Sequence, residues 1–219
     1  MPTEIEITVK PIFSTPLLVF AVAQHARLNA DLSRVILQRE ASEPTYSDYE
    51  VVGWSSPHDL SMLEWAGGPL KELFGPVIEV AKQMTEFSER SGQSEGRPDW
   101  QVVEVWANVQ RKGGSNAAHP HPGSFWSGVY YVDAGDMSQG QRGGELQLFD
   151  PRGCLPRMLA PYLRYSMPEL HDAGKNISFT PSAGQCVLFP GWLFHAVNFY
   201  TGSAPRISVA FNLDPVLPR

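Results

Sequence analysis

The segment WQVVEVWANV, residues 100–109, alternates apolar and polar side chains along most of its length. Successive side chains of an extended chain point to opposite faces, so this period of two predicts a β-strand. Six further strand candidates follow, separated by turn residues; they are residues 125–132, 145–149, 177–179, 185–189, 195–200 and 207–213. Seven or so short strands joined by turns predict a sandwich or barrel of the jelly-roll type.

The first half of the chain has a different pattern, in which apolar residues recur at helical spacing. Residues 21–40 carry it, and so do residues 61–88, with an interruption or kink expected near Gly67-Gly68-Pro69 and Gly75-Pro76. Around these helices, residues 5–18 are predicted to be extended, 43–57 a loop and 91–98 a linker. We therefore predict one α+β domain, with a mostly helical part (1–98) packed on a jelly-roll core (99–219).

The composition of the 219 residues limits the functions that the protein can have. A hydrophobic fraction of 42% excludes a disordered chain, and a net charge of -6 argues against nucleic acid as the main partner. Two cysteines, Cys154 and Cys186, cannot build a disulfide framework. The N-terminus has no basic-then-apolar pattern of a signal peptide, and no apolar run reaches membrane-spanning length. The expected setting is the cytoplasm, without a membrane partner.

The candidate metal ligands are three histidines. His119 and His121 flank Pro120 in an extended segment, where residues two apart share a face, and proline holds the backbone extended. His195 follows an apolar run and the turn residues Pro190-Gly191. Imidazole binds divalent iron, zinc, copper and nickel, so the triad predicts a mononuclear site without naming the metal. The alternative is that one of the three is a packed or surface histidine; His25, His58 and His171 are all expected to be solvated.

Arg206 and Ser208 lie two residues apart in a predicted strand and share a face. A buried arginine is costly unless an anion pairs with it, and its planar fork fits a carboxylate. A dicarboxylate ligand could supply that anion, with Ser208 donating to the same group. The alternative is a salt bridge to Asp214, Glu145 or another acid.

Other residues are weaker candidates for the same site. One of the adjacent Tyr130 and Tyr131 must face inward, where its phenol could bind an anionic ligand, and Asn108 is a second polar candidate. Trp126 and Trp192 could line a substrate mouth. Ordinary core packing is the alternative for each aromatic residue.

Together these residues resemble the 2-oxoglutarate/Fe(II)-dependent oxygenase superfamily, and within it a bacterial and phage group with a His-x-His-Pro…Ser-Gly-Val-Tyr-Tyr signature. The likeness covers residues 108–213, about half of the chain. The matching motifs are His119-Pro120-His121-Pro122, Ser127-Gly128-Val129-Tyr130-Tyr131-Val132, the segment 144–152, Pro181-Ser182-Ala183-Gly184, the run Phe189 to His195, and Arg206 to Asn212.

The resemblance implies a double-stranded β-helix (jelly-roll, cupin-like) core that holds one Fe(II), chelated by 2-oxoglutarate as co-substrate. His119 would match the first ligand of the superfamily's His-x-Asp motif, His195 the distal histidine, and Arg206 the residue that pairs with the distal carboxylate of 2-oxoglutarate. The reaction would consume O2, release succinate and CO2, and hydroxylate a bound substrate. Residues 1–219 would then form a single oxygenase domain.

The chain departs from the superfamily where His121 replaces the usual Asp or Glu. If His121 binds the metal, the site is an all-histidine triad and bound 2-oxoglutarate carries the neutralising charge. Otherwise a carboxylate could come from Asp133, Glu145 or Asp150. We favour His121 because Pro120 keeps the two histidines on an extended backbone.

Two other functions are compatible with the same residues. A cupin-type metal dioxygenase or isomerase that does not use 2-oxoglutarate would accept the three histidines, but it leaves Arg206 unexplained. A non-catalytic β-barrel binding module is the other alternative. The substrate could be a small molecule or a peptide side chain, and the N-terminal helices could build the face of a homodimer.

Overall fold

A computed structural model describes residue 8 and residues 12–46, 51–88, 96–139, 143–153, 162–163 and 174–216. Most of the predicted extended segment before residue 12, part of the predicted linker, and both Cys154 and His171 lie outside the described residues. Of the two cysteines, Cys186 is described, and it is a free, buried thiol.

The described strands form two antiparallel sheets. They are β1 (Leu18–Ala21), β2 (Val51–Val52), β3 (Trp54–Ser55), β4 (Asp99–Gln110), β5 (Ser115–His119), β6 (Trp126–Asp133), β7 (Leu146–Leu148), β8 (Ile177–Phe179), β9 (Gln185–Pro190), β10 (His195–Val197) and β11 (Arg206–Val216). Sheet A has the strand order β1-β9-β6-β11-β4-β3, and sheet B has the order β2-β5-β10-β7-β8. Each predicted strand segment overlaps an observed strand, and the ends agree to within three residues.

Apolar side chains from the two sheets meet between them. Tyr131, Val187 and Phe189 of sheet A pack in one cluster with Leu146 and Leu148 of sheet B. Two sheets that bury their inner faces against each other are the defining feature of a sandwich. This arrangement, with helices added on one side, confirms the predicted α+β class and jelly-roll core.

The helices α1 (His25–Ser42), α2 (Met62–Trp65) and α3 (Gly67–Gln83) cover the outer face of sheet A. Leu28, Leu32 and Ile36 of α1 are buried against it, and Phe74 of α3 meets Phe211 of β11 edge to face, with ring centroids 5.2 Å apart. Sheet A is thus covered on both faces, by helices outside and by sheet B inside. Its central strands are therefore buried on both sides.

Of the two interruptions or kinks predicted in the second helical segment, the one near Gly75-Pro76 does not interrupt α3, which runs through Pro76. Proline normally disfavours a helical residue before it, because its ring meets the Cβ of that residue. Glycine stands before both prolines of this helix, Pro69 and Pro76, and has no Cβ. The interruption predicted near Gly67-Gly68-Pro69 is confirmed, because α2 ends at Trp65, α3 begins at Gly67, and Gly67 has a φ of +40°.

The N-terminal part contributes strands as well as helices. β1 lies at one edge of sheet A, β3 lies at its other edge, and β2 is an edge of sheet B. β2 and β3 lie inside the segment 43–57 predicted to be a loop, because strands of two residues are too short to carry a periodic pattern. None of the helices in the described ranges is long and apolar enough to cross a membrane.

Candidate metal centre

Strands β5 and β10 of sheet B, together with the loop that follows β5, bring the three predicted ligands together. His119 ends β5 and His195 begins β10, and the two residues pair directly across the antiparallel ladder. His121 follows the end of β5, where its backbone N–H donates to the carbonyl of Gly191 at 2.7 Å. One nitrogen from each of the three imidazoles lies within 4.8 Å of the others. The ring centroids are 4.6 to 5.1 Å apart.

Backbone carbonyls orient two of these rings. His195 Nδ1 lies 2.9 Å from the carbonyl of Leu193, and His119 Nδ1 lies 2.7 Å from the carbonyl of Ala117. A carbonyl can only accept, so each Nδ1 carries the proton and the lone pair is on Nε2. This tautomer is the one in which an oriented histidine presents Nε2 to a metal.

The environment keeps two of the imidazoles neutral. Burial, together with the neighbouring His195 and His119, lowers the pKa of His121 to about 3. Burial and His119 likewise lower the pKa of His195 to about 4. Both rings are therefore unprotonated at neutral pH, which is the form that binds a divalent metal.

The carboxylates considered as alternative ligands are bonded elsewhere. Asp133 accepts a hydrogen bond from the N–H of Gly135, and Asp150 forms an ion pair with Arg152 at 2.9 Å. Glu145 accepts from the N–H of Gly143 at 2.8 Å. Among the residues that the structure describes, the donor cluster holds three imidazoles and no carboxylate.

Arg206 lies in the wall of the same cavity as the histidines. It is 1% exposed, its Nη1 donates to Gln110 Oε1 at 2.7 Å, and its guanidinium lies 5.2 Å from the ring centroid of Tyr131. Its Nε has no hydrogen-bond partner in the described ranges. The alternative salt bridges to Asp214 and Glu145 do not form, so the buried guanidinium has no carboxylate partner within the described part of the chain.

Two other predicted residues, Ser208 and Asn108, line this cavity and pair across β11 and β4. Asn108 Oδ1 is buried without a hydrogen-bond partner. Of the two adjacent tyrosines, Tyr130 does not face the cavity: its hydroxyl donates to Asn29 Oδ1 at 2.5 Å, so this side chain faces helix α1. Tyr131 lines the cavity instead, and its hydroxyl is buried without a partner.

The two tryptophans predicted at the substrate mouth do not line this cavity. Trp126 is 4% exposed and its Nε1 donates to Thr85 Oγ1 at 3.0 Å, so it faces the helical layer, which contradicts the prediction. Trp192 is 54% exposed in the turn between β9 and β10. Trp106 of β4 lines the cavity, with its ring centroid 5.5 Å from that of His121.

Sequence reasoning missed several other residues of the site. Gln110 is fully buried, accepts from Arg206 and donates to Asn116 Oδ1 in the cavity wall. His58, expected to be solvated, is half-buried and stacks on Trp106 with ring centroids 4.4 Å apart. The two-residue alternation from Asn108 would have placed Trp106 and Gln110 on the same face of β4. Nothing local in the sequence identifies His58.

A family model described as "Putative 2OG-Fe(II) oxygenase" matches residues 104–212, about half of the chain. No curated protein sequence matches this chain.

The fold is similar to solved structures of low sequence identity. A prolyl-4-hydroxylase from Pseudomonas putida is 16% identical with a TM-score of 0.57, over 91% of this chain and 92% of that one. A prolyl hydroxylase from Trichoplax adhaerens, solved with a hypoxia inducible factor peptide fragment, is 12% identical with a TM-score of 0.57, over 90% and 83%. The non-heme alpha ketoglutarate dependent epimerase SnoN from nogalamycin biosynthesis is 12% identical with a TM-score of 0.58, over 91% and 78%.

The matched segment begins in β4 and ends in β11, so it spans the histidine triad and Arg206. With the family match and the fold in agreement, this chain belongs to the 2OG-Fe(II) oxygenase family.

Proposed function

We propose that this protein is a non-haem dioxygenase that hydroxylates a small molecule or a peptide side chain and converts 2-oxoglutarate and O2 to succinate and CO2. The observation that carries the proposal is a buried guanidinium with no carboxylate partner among the described residues, in the wall of the cavity that also contains three clustered imidazoles. A cationic pocket for a dicarboxylate beside a metal site is what this chemistry requires. We also expect the protein to work in the cytoplasm.

Fe(II) would be held by His119, His121 and His195. Neutral imidazoles are suitable donors for divalent iron, and three protein ligands leave coordination positions open for other molecules. The triad carries no negative charge, so the 2+ charge of the ion is compensated by what binds beside it. One carboxylate of the 2-oxoglutarate dianion would compensate part of that charge, and the other would pair with Arg206.

2-Oxoglutarate would be held by Arg206, Ser208 and Tyr131. The Arg206 Nε and the Tyr131 hydroxyl are both buried without a partner, and a buried donor left unpaired costs about 1–3 kcal/mol. Burial raises the pKa of Tyr131 to about 12, so its phenol stays protonated and can donate to a carboxylate at neutral pH. Asn108, whose Oδ1 lacks a partner, is an additional polar contact in the same wall. These buried polar groups without partners suit a ligand that carries carboxylates, such as 2-oxoglutarate.

When bound, Fe(II) would supply the oxidative chemistry: one atom of O2 goes to succinate as CO2 is lost, and the other goes to a C–H bond of the substrate. The protein's own residues bind and orient the reactants and keep bulk water from them. Phe189 and Leu146 contribute apolar surface to the cavity wall, and Phe189 packs against the His195 ring at a centroid distance of 4.7 Å.

An anaerobic titration of 2-oxoglutarate into Fe(II)-loaded protein tests this proposal through the visible metal-to-ligand charge-transfer band. We expect the band in wild type, a much weaker one at equal 2-oxoglutarate in Arg206→Ala, and loss of bound iron in His121→Ala. Circular dichroism and iron content verify that the Arg206 variant is folded and loaded. Absence of the band from iron-loaded wild type would contradict the proposal and favour a cupin-type enzyme.

A further inference from the structure

The inner faces of β4 and β11 change polarity along their length. Antiparallel register places four inward-facing pairs in sequence: Arg206 with Gln110, Ser208 with Asn108, Ala210 with Trp106, and Asn212 with Glu104. The first pair contains a buried cation, and the last contains a carboxylate. Arg206, Ser208, Asn108, Ala210 and Trp106 line the cavity, and the Asn212–Glu104 pair continues the same face just beyond them. This face of sheet A therefore runs from a cationic end to an acidic end.

The Trp106–Ala210 pair, between these two ends, is the part of the face that lies next to the histidine triad. Trp106 and Ala210 both line the cavity, and the Trp106 ring is 5.5 Å from that of His121. Asn212 is two residues beyond Ala210, about 7 Å along the strand, whereas Arg206 is four residues away in the other direction, about 13 Å. A molecule that approaches the metal from the side opposite Arg206 would meet the Asn212–Glu104 pair.

Two buried polar side chains fix the position of the Glu104 carboxylate. Asn212 Nδ2 donates to Glu104 Oε2 at 2.6 Å, and Ser127 Oγ donates to Asn212 Oδ1 at 2.8 Å. Ser127 and Asn212 are each 1% exposed, and Ser127 lines the cavity. This chain of donors orients one carboxylate oxygen and leaves the other to solvent or a ligand.

The Glu104 carboxylate is half-buried and has no cationic partner among the residues that the structure describes. A half-buried carboxylate is stabilised by a charged donor more than by a neutral one, because charge-assisted hydrogen bonds are the stronger kind. The opposite end of the cavity would already be neutralised when 2-oxoglutarate binds Arg206. What remains at the substrate side is an oriented, uncompensated negative charge.

We propose that the substrate carries a protonated amine or a guanidinium, and that this cation binds the Glu104 carboxylate. The inference rests on the proposed function, because it takes the Arg206 end of the cavity to hold 2-oxoglutarate. Glu104 then determines specificity, and Asn212 and Ser127 position it.

The test uses protein loaded with Mn(II) and 2-oxoglutarate, and two probes of the same shape: butylguanidinium and its neutral analogue butylurea. Mn(II) broadens the proton resonances of any probe that binds near it, so a titration followed by NMR gives the affinity even when binding is weak. We expect wild type to bind butylguanidinium about tenfold more tightly than butylurea, equivalent to about 1.4 kcal/mol. The preference should disappear in Glu104→Gln, which can still accept from Asn212.

Two further variants control for net charge and for folding. Glu86→Gln removes an exposed carboxylate outside the cavity and should keep the tenfold preference. Glu104→Asp keeps the charge and should retain a preference for butylguanidinium.

Equal broadening by the two probes in wild type, including none by either, overturns the inference, as does a preference that survives in Glu104→Gln. Binding of 2-oxoglutarate is measured separately, by its dependence on Arg206. Loss of that dependence would overturn the proposed function, whereas intact 2-oxoglutarate binding without a cation preference would overturn only this inference.

Discussion

The positive charge of Arg206 stays available to a ligand because the side chain beside it, Gln110, is neutral. The Gln110 Oε1 accepts from Arg206 Nη1, and its amide group donates to Asn116. An amide satisfies one donor of the guanidinium without cancelling its charge. A glutamate at this position would form a buried ion pair and remove the cation from the reach of a ligand.

We therefore predict that Gln110→Glu lowers the affinity for 2-oxoglutarate by at least about tenfold, equivalent to about 1.4 kcal/mol. The added carboxylate competes with the ligand for the same guanidinium. Calorimetric titration of 2-oxoglutarate into Mn(II)-loaded protein measures the effect. Gln101→Glu is the matched control, because it adds the same charge to an exposed position of the same strand. An unchanged affinity in Gln110→Glu would show that Arg206 is not the binding group.

The adjacent Tyr130 and Tyr131 serve different parts of the molecule. Tyr130 links sheet A to helix α1 through Asn29, and Tyr131 presents a buried, unpartnered hydroxyl to the cavity. Removing the hydroxyl of Tyr130 breaks a hydrogen bond already made in the folded protein. Removing that of Tyr131 breaks none until a ligand arrives.

Phenylalanine substitutions should separate these roles. Tyr130→Phe is expected to lower the free energy of unfolding by about 1 kcal/mol and to leave 2-oxoglutarate affinity unchanged. Tyr131→Phe is expected to leave the ligand-free stability unchanged or slightly higher, and to weaken 2-oxoglutarate binding. Urea denaturation and ligand titration of both variants measure the two effects. If both variants lose only stability, Tyr131 is a core residue and not a ligand contact.

Among the elements, β6 is packed tightly on its helix-facing side at Gly128. A Cβ built at this glycine would lie 2.4 Å from Phe211 Cζ and 2.6 Å from a methyl of Leu188. The Gly128 backbone conformation is ordinary, so space and not φ requires glycine here. The side chains of Phe211 and Leu188, which pair with Gly128 on the neighbouring strands β11 and β9, fill the space that a side chain at this position would need.

Gly128→Ala is expected to reduce the free energy of unfolding by about 1–3 kcal/mol, because overpacking forces neighbouring side chains to shift. Phe211→Leu removes the ring atoms that meet the new methyl. The cost of Gly128→Ala should therefore be smaller in the Phe211→Leu background, and a double-mutant cycle by urea denaturation measures this coupling. Additive costs would mean that the backbone, and not Phe211, absorbs the methyl.

Strand β6 is buried on both of its faces, between the helices and sheet B. For this reason the sequence could not predict which of Tyr130 and Tyr131 points into the cavity. Alternation identifies a strand with one solvent-exposed face, but β6 is buried on both sides, and its residues 129–132 form a continuous apolar run. The histidines and Arg206 were predictable because each is a costly or reactive group next to a strand signal. Gln110 depends on a partner 96 residues away in sequence, and no local pattern encodes that contact.

For the whole molecule, the site joins the two sheets of the sandwich. His119 and His195 belong to sheet B, while Arg206, Ser208 and Asn108 belong to sheet A. A metal alone would engage the histidines of sheet B and of the loop that follows β5. A 2-oxoglutarate held by both the metal and Arg206 would bridge the sheets, and its binding should therefore require the metal.

Thermal unfolding with neither ligand, each ligand alone and both together tests this dependence. A ligand at a hundred times its Kd stabilises the folded state by about 2.7 kcal/mol. For a chain of this size that corresponds to a rise in Tm of about 5–10 °C. We expect Mn(II) alone to raise Tm, 2-oxoglutarate alone to have little effect, and the two together to exceed the metal effect by a shift of this order. Arg206→Ala should keep the rise in Tm caused by Mn(II) and lose the further rise caused by 2-oxoglutarate. A rise in Tm of the same size with 2-oxoglutarate in the absence of metal would contradict the bridge between the sheets. A rise in Tm with Mn(II) and no further rise with 2-oxoglutarate would favour a cupin-type enzyme over the proposed dioxygenase.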